Sequence, residues 1–289
     1  MKIIKVWDGT RPGATPGKAF TADITPEQLV LNGKRLDYFM LALKGAISTA
    51  AVAIEDFSVF LSEFVLKVGG EERIAGLTGQ DLAALSVAMF GQLPVIGENT
   101  DATGTDFLSG IKVPVFASID ATKPITVGAS YTAATNVGTN TIGLTAHCDK
   151  SAVARKAIHA VGIAHTSAGT AGWEVLSFRM PVVGVMKKLI MRQAPASDFT
   201  DANIDVSVQR INILINGKVE HELNTLTDAE PIAPIDFVTP TPIADLLRPY
   251  KVFDFGDDGI DCKGQEVILQ IDVEDVSDAL KFIPVMEMA

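Results

Sequence analysis

The sequence is poor in the residues that build disulfide scaffolds, metal centres and aromatic binding faces. Its 289 residues include two Cys, four His, two Trp and three Tyr. Two cysteines are too few for the disulfide framework of a small secreted fold, so we expect Cys148 and Cys262 to be free, buried thiols. The four histidines contain no His-x-His pair, which removes one common arrangement of metal ligands on a strand.

Positive charge is also scarce. The chain has 24 Lys and Arg against 35 Asp and Glu, a net charge of −11. A protein that follows a phosphate backbone needs a basic stripe, so this balance argues against direct nucleic-acid binding. Apolar residues make up 47% of the chain and charged residues only 20%. More apolar surface than usual must be buried, and we expect part of it to lie between subunits.

No segment has the pattern of a signal peptide or a membrane span. The opening MKIIKVWD places a charge where the apolar stretch of a signal peptide should be, so we expect synthesis in the cytoplasm. The longest apolar stretch, Leu36 to Ile54, is interrupted by Asp37 and Lys44. It predicts strand-turn-strand better than a transmembrane helix.

Short runs of strand character dominate both halves of the chain. They are rich in β-branched and aromatic residues and are separated by Gly, Asn, Asp or Pro. The alternation of apolar and polar residues slips at Ser62 and again near Arg210, as a β-bulge would make it slip. One helix of about three turns is predicted after Leu77, with Thr78 and Asp81 in capping-box positions.

Two segments rich in Pro lack the strand pattern of the rest of the chain. Residues 1–25 include WDGTRPGATPGKAFTADIT, which cannot hold a helix and predicts an extended N-terminal arm. The remainder divides into a first β-rich domain, 26–150, and a second, 151–289. Glu230 to Tyr250 predicts an exposed loop or intersubunit contact, with one helical turn at Ile243 to Leu247.

A short pattern occurs twice, at a separation of about half the chain length. VGGEERIAGLT begins at Val68 and INGKVEHELNTLT begins at Ile215. Each combines a strand, a tight turn, a return strand and Leu-Thr-x-x-acid, and Asn-Gly is a strong hairpin signal. Matches this short also arise by chance. The repeated hairpin and cap signature consists of Gly69, Gly70, Thr78, Asp81, Asn216, Gly217, Thr227 and Glu230.

Two β-rich halves with this signature resemble the double jelly-roll major capsid proteins of icosahedral, membrane-containing viruses. This is the lineage of tectiviruses and adenovirus, and the length is nearest to its corticovirus-like and finnlakevirus-like members. The resemblance implies an all-β chain with short helices, in two tandem eight-stranded jelly-roll β-sandwiches. A single jelly roll with a tower insertion is a possible departure.

The same resemblance implies a structural protein of the virion and no enzyme or cofactor. Homotrimers with a pseudo-hexagonal outline would tile the shell beside neighbouring capsomers and minor capsid or vertex proteins. The N-terminal arm would tie capsomers together or touch the internal membrane. Two alternatives remain: a two-domain β-sandwich that binds carbohydrate as an adhesin, and a bicupin-like metal enzyme, against which the absent His-x-His counts.

Other motifs are weak. GATPGKAF, from Gly13 to Phe20, lacks the glycine spacing and the Ser or Thr of a phosphate loop. DFGDDGID, from Asp254 to Asp261, predicts a solvated acidic turn more readily than a calcium loop. In His147-Cys148 adjacent side chains point to opposite faces of a strand, so we expect a buried Cys beside an outward His. His159 and His165 do not make a metal site by spacing alone, and His221 predicts a surface residue.

Overall fold

The computed structural model describes most of the chain. The described residues are 2–12, 17–24, 35–47, 61–91, 95–97, 106–118, 123–131, 137–149, 156–166, 171–179, 184–194, 208–225, 227–232, 247, 249–274 and 279–288. Within these ranges no helix combines the length and the apolar character needed to cross a membrane.

The chain divides into two compact units, Met1–His159 and Ala160–Ala289. The sequence predicts a boundary between residues 150 and 151, just after a strand that ends at Asp149. In the structure the next strand, Ala157–Val161, spans the division.

The first unit contains nine strands and one helix within its described residues. The strands are β1 (Lys2–Pro12), β2 (Gly17–Ile24), β3 (Arg35–Ile47), β4 (Glu63–Val68), β5 (Glu71–Leu77), β6 (Val95–Gly97), β7 (Asp106–Ser118), β8 (Ile125–Tyr131) and β9 (Val137–Asp149). Helix α1 (Gly79–Phe90) follows β5. One sheet has the order β1-β9-β3-β7-β6, and the other includes β5-β4-β8-β2.

The second unit repeats this arrangement. After β10 (Ala157–Val161) its strands are β11 (Ile163–Thr166), β12 (Gly172–Arg179), β13 (Val185–Ala194), β14 (Val208–Ile215), β15 (Lys218–Asn224), β16 (Glu230–Pro231), β17 (Tyr250–Asp254), β18 (Ile260–Asp261), β19 (Glu266–Val273) and β20 (Ala279–Met288). One sheet runs β16-β17-β13-β20, with β11 also on β20 and β18 on β13. The other runs β12-β19-β14-β15.

Both units therefore have the strand order of a jelly roll. If β6, β16 and β18 are set aside as short additions, and β10 and β11 together supply the first strand, the eight remaining strands of each unit follow one pattern. The first, eighth, third and sixth strands form one sheet, and the second, seventh, fourth and fifth form the other. The β4–β5 and β14–β15 hairpins both join the fourth strand to the fifth. The repeated sequence pattern thus lies at equivalent positions of two jelly rolls, which confirms the predicted fold class.

Residues 2–12 and 17–24, which belong to the predicted N-terminal arm, form two paired strands of the first unit. β1 pairs antiparallel with β9, with Lys2 opposite Cys148, and β2 pairs with β8, with Ile24 opposite Ile125. Gly and Pro excluded a helix correctly, but they do not exclude an edge strand such as β1, where Pro12 stands at the end. A phosphate loop is followed by a helix, but the second half of GATPGKAF lies in the strand Gly17–Ile24. Residues 13–16 lie outside the described part.

The predicted strands are present where they fall within the described residues, and so is one of the two predicted slips. β14 shifts register against β19 between Val208 and Arg210, where the sequence alternation slips. The slip at Ser62 adjoins the start of β4, but residues 51–60 lie outside the described ranges. The stretch Leu36 to Ile54 begins as one long strand, β3, and ends outside them. The predicted helical turn at Ile243 to Leu247 also falls mostly outside them.

Each jelly roll buries an apolar core. In the second unit one cluster contains residues from both sheets, among them Leu189, Phe282, Ile211 and Leu269, all with no solvent exposure. Fully burying a side chain of this size contributes roughly 1.5–3 kcal/mol. The fully buried side chains of the first unit include Phe39, Leu41, Phe64, Leu66, Ile111, Val113, Val127 and Leu144.

Candidate functional site

The two repeated hairpins have the same backbone geometry. Gly69 and Gly70 have φ of 62° and 85°, and Asn216 and Gly217 have φ of 53° and 78°. Two successive positive φ values at the turn define the hairpin type that Gly-Gly and Asn-Gly favour, because its twist matches that of the flanking strands. Gly-Gly and Asn-Gly therefore recur in the two hairpins because both turn positions need a positive φ.

Each hairpin tip is held by the segment that precedes the seventh strand of its own unit. The Gly69 amide donates to the carbonyl of Pro124 over 2.9 Å, just before β8. The Asn216 side-chain amide donates to Oε1 of Gln265 over 3.0 Å, just before β19. The two jelly rolls thus brace equivalent turns at equivalent places with different chemical groups.

The residues after the hairpins diverge. In the first unit Thr78 and Asp81 form a complete capping box at the start of α1, and Gly91 ends the helix at a φ of 64°. In the second unit Thr227 donates to Oδ1 of Asp228 over 2.9 Å, and Glu230 opens β16 opposite Val252. Thr227 and Glu230 therefore do not repeat the cap, and a function for the signature stays a prediction.

His147 is buried, contrary to the outward position expected of it. Cys148 faces the core with no exposure, but His147 is only 7% exposed on the other face of the sheet. Its ring stacks on Tyr38 with centroids 4.4 Å apart and planes 17° apart. Strand alternation places the two side chains on opposite faces, as expected, but it does not show that a neighbouring aromatic ring covers the second face.

His147 belongs to a compact set of side chains around Tyr38, and we name Tyr38, Phe90, Lys112 and His147 the outer cluster. Phe90, the last residue of α1, packs edge-on against Tyr38 at 5.8 Å. Lys112 Nζ lies 5.6 Å from the Tyr38 ring centroid and 5.7 Å from that of Phe90. Burial, and then the charge of Lys112, lower the pKa of His147. Burial, and then Asp37, raise the pKa of Tyr38.

The cysteines are unsuited to nucleophilic chemistry. Both are free and buried, as predicted. Burial raises the pKa of each thiol to about 11, so very little thiolate is present near neutral pH. His147 and Cys148 are consequently not a nucleophile and its base.

The acidic turn after β17 is paired with lysines. Asp254 binds Lys188 and accepts a 2.9 Å bond from the Gly256 amide, and Asp261 contacts Lys263 at 3.0 Å. Burial acts to raise the pKa of Asp254, but the hydrogen bonds from Lys188 and Gly256 and the charges of Lys188 and Lys187 together outweigh it, so the pKa is lowered. Among the described residues no group of three or more His, Cys, Asp or Glu converges as metal ligands would.

The remaining three histidines lie in three different environments. His165 on β11 bonds Glu174 on β12, a contact that joins the two sheets of the second unit. His159 has a buried Nδ1 with no hydrogen-bond partner in the described structure, and its pKa is lowered to about 4, mainly by burial. His221 is exposed on the β15 hairpin, as predicted.

Exposed apolar side chains mark surfaces that the sequence did not reveal. Trp173 and Val175 on β12 are 51% and 59% exposed, and Ile3 on β1 is 59% exposed. Both strands stand at a sheet edge within the described residues. Apolar residues occur on both faces of β12, since buried Leu176 alternates with exposed Trp173 and Val175, so the sequence pattern did not distinguish the outer face from the inner one. Large exposed apolar groups are typical of contact surfaces.

No protein-family model and no curated protein sequence matches the chain. Solved structures do match it along nearly its whole length, and they place it in the fold class of double jelly-roll capsid proteins. One is a chain from the atomic structure of Sulfolobus Turreted Icosahedral Virus, with 12% identity, a TM-score of 0.65, and coverage of 98% of this chain and 91% of that one.

Two further matches come from other viruses. The major capsid protein P2 of bacteriophage PM2 has 9% identity and a TM-score of 0.57, covering 100% of this chain and 97% of that one. VP54 of PBCV-1 has 9% identity and a TM-score of 0.54, covering 100% and 95%. The chain therefore has the fold of these proteins at a level of identity that establishes architecture.

Proposed function

We propose that the chain is a viral major capsid protein. Three copies assemble into a capsomer whose six jelly rolls give a pseudo-hexagonal outline, and these capsomers tile an icosahedral shell over an internal membrane. The observation that carries the proposal is the repeated strand order, because two jelly rolls of the same topology in one chain match major capsid proteins over nearly the whole length.

The surface composition supports assembly. Apolar side chains stand exposed on edge strands, and only 20% of the chain is charged. Obligate interfaces are more apolar than ordinary surfaces, so a protein covered by neighbouring copies has this composition. The buried thiols and the lysine-paired acidic turn offer no evident catalytic arrangement among the described residues, which suits a structural role.

The partners follow from the same role. Capsomers contact other capsomers and the minor capsid or vertex proteins of the shell, within the virion. Residues 2–12 and 17–24 belong to the sheets of the first unit, so we place no membrane contact on a free arm there. A contact with the internal membrane then uses other residues, and flotation of purified capsomers with lipid vesicles tests it.

The mass of the purified protein in solution tests the proposal most directly. Light scattering should give three times the 30.7 kDa of one chain, and negative-stain images of the same fraction should show a hexagonal outline. A monomer at every concentration, with images of isolated particles of one chain, would overturn the trimeric capsomer.

One observation favours a second candidate, a carbohydrate-binding β-sandwich. Trp173 is half exposed on a sheet face, and an exposed aromatic ring can stack on a sugar. A glycan array on the monomeric or trimeric protein, with Trp173→Ala as the matched variant, separates the two functions. Glycan binding that disappears in the variant would support the carbohydrate-binding function. If the unmodified protein binds no glycan, the capsid function is the one that remains.

A further inference from the structure

The outer cluster joins the end of α1 to the sheet of β1, β9, β3 and β7. Phe90 contacts Tyr38 on β3 and also Phe116 on β7, with ring centroids 5.7 Å apart. Phe116 has a φ of 48°, an unusual backbone conformation for a bulky residue. It lies where β7 gains one residue over β3, since Leu36 opposes Ala117 and Tyr38 opposes Pro114. The bulge turns an aromatic ring toward the helix end.

His147 fits this cluster only as a neutral ring. Nε2 lies 3.2 Å from Oγ1 of Thr145, whereas Nδ1 is buried without a hydrogen-bond partner among the described residues. An imidazolium carries N–H on both nitrogens, so the charged ring would bury a donor with nothing to accept it. Lys112 already lies near the Tyr38 ring, so a protonated His147 stacked on that ring would be repelled by the positive charge of Lys112.

The charged and titratable side chains described on this face are few. His147 lies opposite Ile3 of β1 and Tyr38 of β3, and the next row contains Thr145 with Lys5 of β1 and Met40 of β3. Lys112 of β7 lies opposite Met40. Helix α1 contributes Phe90, and Asp37 acts on Tyr38 from the adjoining bulge. Lys112 is therefore the cation that contacts the cluster rings, and Lys5 is exposed.

We propose that the outer cluster is an acid-sensitive latch: protonation of His147 separates its ring from Tyr38 and releases the C-terminal end of α1 from the sheet. This inference does not depend on the proposed function. Histidine is the side chain whose charge changes in the mildly acidic range, and a local change of charge can bias a packed element between two arrangements. The lowered pKa of His147 agrees with the proposal, because it means that the closed cluster disfavours the charged ring.

Hydrogen–deuterium exchange on the purified full chain tests the latch. Peptides covering residues 79–91 are compared at about pH 7.5 and about pH 5, after correction for the intrinsic effect of pH on exchange. Below about pH 6.5 the opening equilibrium should rise by up to about tenfold per pH unit, because the open state takes up one proton. Peptides from β3 and β9 should keep their protection.

Variants separate the latch from general acid sensitivity. His147→Gln should remove the acid response of residues 79–91, whereas the matched variants His221→Gln and His159→Gln should keep it. Lys112→Met keeps the side-chain stem and removes a charge that disfavours the protonated ring in the closed cluster, so the increase in opening between about pH 7.5 and about pH 5 should be smaller than in the unmodified protein. This variant also keeps the test decisive if His147→Gln does not fold.

Three results would overturn the proposal. The first is exchange at residues 79–91 that does not change with pH after correction. The second is loss of protection in β3 and β9 together with α1, which is global unfolding. The third is an acid response that survives in His147→Gln or, where that variant does not fold, an undiminished acid response in Lys112→Met.

Discussion

Thr78 and Asp81 cap the first turn of α1 reciprocally. The Asp81 amide donates to Oγ1 of Thr78 over 3.3 Å, and the Thr78 amide donates to Oδ2 of Asp81 over 2.8 Å. Two backbone N–H groups at the start of the helix are thereby satisfied, although the same Leu-Thr-x-x-acid letters make no such cap in the second unit. The shared Leu-Thr-x-x-acid pattern therefore forms a helix cap in one jelly roll only.

Thr78→Ala should destabilise the protein by about 1 kcal/mol, the usual effect of removing an N-cap side chain. Thr227→Ala is the matched control, because Thr227 is exposed and its hydroxyl donates to the neighbouring Asp228, and it should change the free energy of unfolding by less than about 0.5 kcal/mol. Urea denaturation of both variants measures the difference. Equal effects at the two positions would mean that the cap contributes nothing.

Gly70→Ala and Gly217→Ala should each destabilise by roughly 1–2 kcal/mol. Both glycines have positive φ and open space where a Cβ would stand, so the cost is that of the backbone conformation alone. Gly143→Ala on β9 is the control: its new Cβ would meet Ala42 at ordinary contact distance, 3.7 Å, and stability should change by less than about 0.5 kcal/mol. A lower denaturant midpoint for Gly143→Ala than for Gly70→Ala and Gly217→Ala would contradict the claim that the positive φ causes the destabilisation.

Folding stability should rise with pH between about 4 and 6.5 because of His159. Its folded pKa is about 4 and the value for an unperturbed histidine is 6.5, so in this window the unfolded chain binds a proton that the folded chain does not. The loss on acidification should be on the order of 3 kcal/mol. Denaturation at several pH values should show a shallower slope for His159→Gln than for His221→Gln, and indistinguishable slopes would refute the effect.

Both thiols should react slowly in the native protein. With pKa values of about 11 and no exposure, Cys148 and Cys262 present almost no accessible thiolate near neutral pH. A chromogenic disulfide reagent at about pH 8 should label neither at an appreciable rate, and denaturant should release two equivalents. Rapid labelling of one thiol in the folded protein would show that the segment around it opens locally, and the variants Cys148→Ala and Cys262→Ala identify which thiol reacts.

Much of the fold was readable because strands and tight turns have local signals. The Asn216-Gly217 turn, the helix after Thr78 and the register slip near Arg210 all follow from residues within a few positions of one another. The N-terminal strands were missed because their partners are remote: Lys2 pairs with Cys148, and nothing in the first 25 residues shows that. The N-terminal segments form strands because they pair with β9 and β8, which their own composition does not indicate.

The site was less predictable for the same reason. The His147 ring stacks on Tyr38 from another strand, and Tyr38 in turn packs against Phe90 of α1. The absence of a second cap depends on Asp228, whose carboxylate binds the Asn224 amide at 2.7 Å and Thr227 at 2.9 Å. Exposed Trp173 and Val175 share a strand with buried Leu176, so hydrophobicity alone did not show which face is outside.

The position of β9 sets an order of events during synthesis. β9 lies between β1 and β3, so neither of these strands has this partner until residues 137–149 have been made. At roughly 5–20 residues per second, β9 follows β1 by about 7–30 s. Through that interval the nascent first unit presents two unfilled strand edges, which are sites for aggregation. Completion of its sheet is therefore timed by translation, and a chain arrested before residue 137 cannot close it.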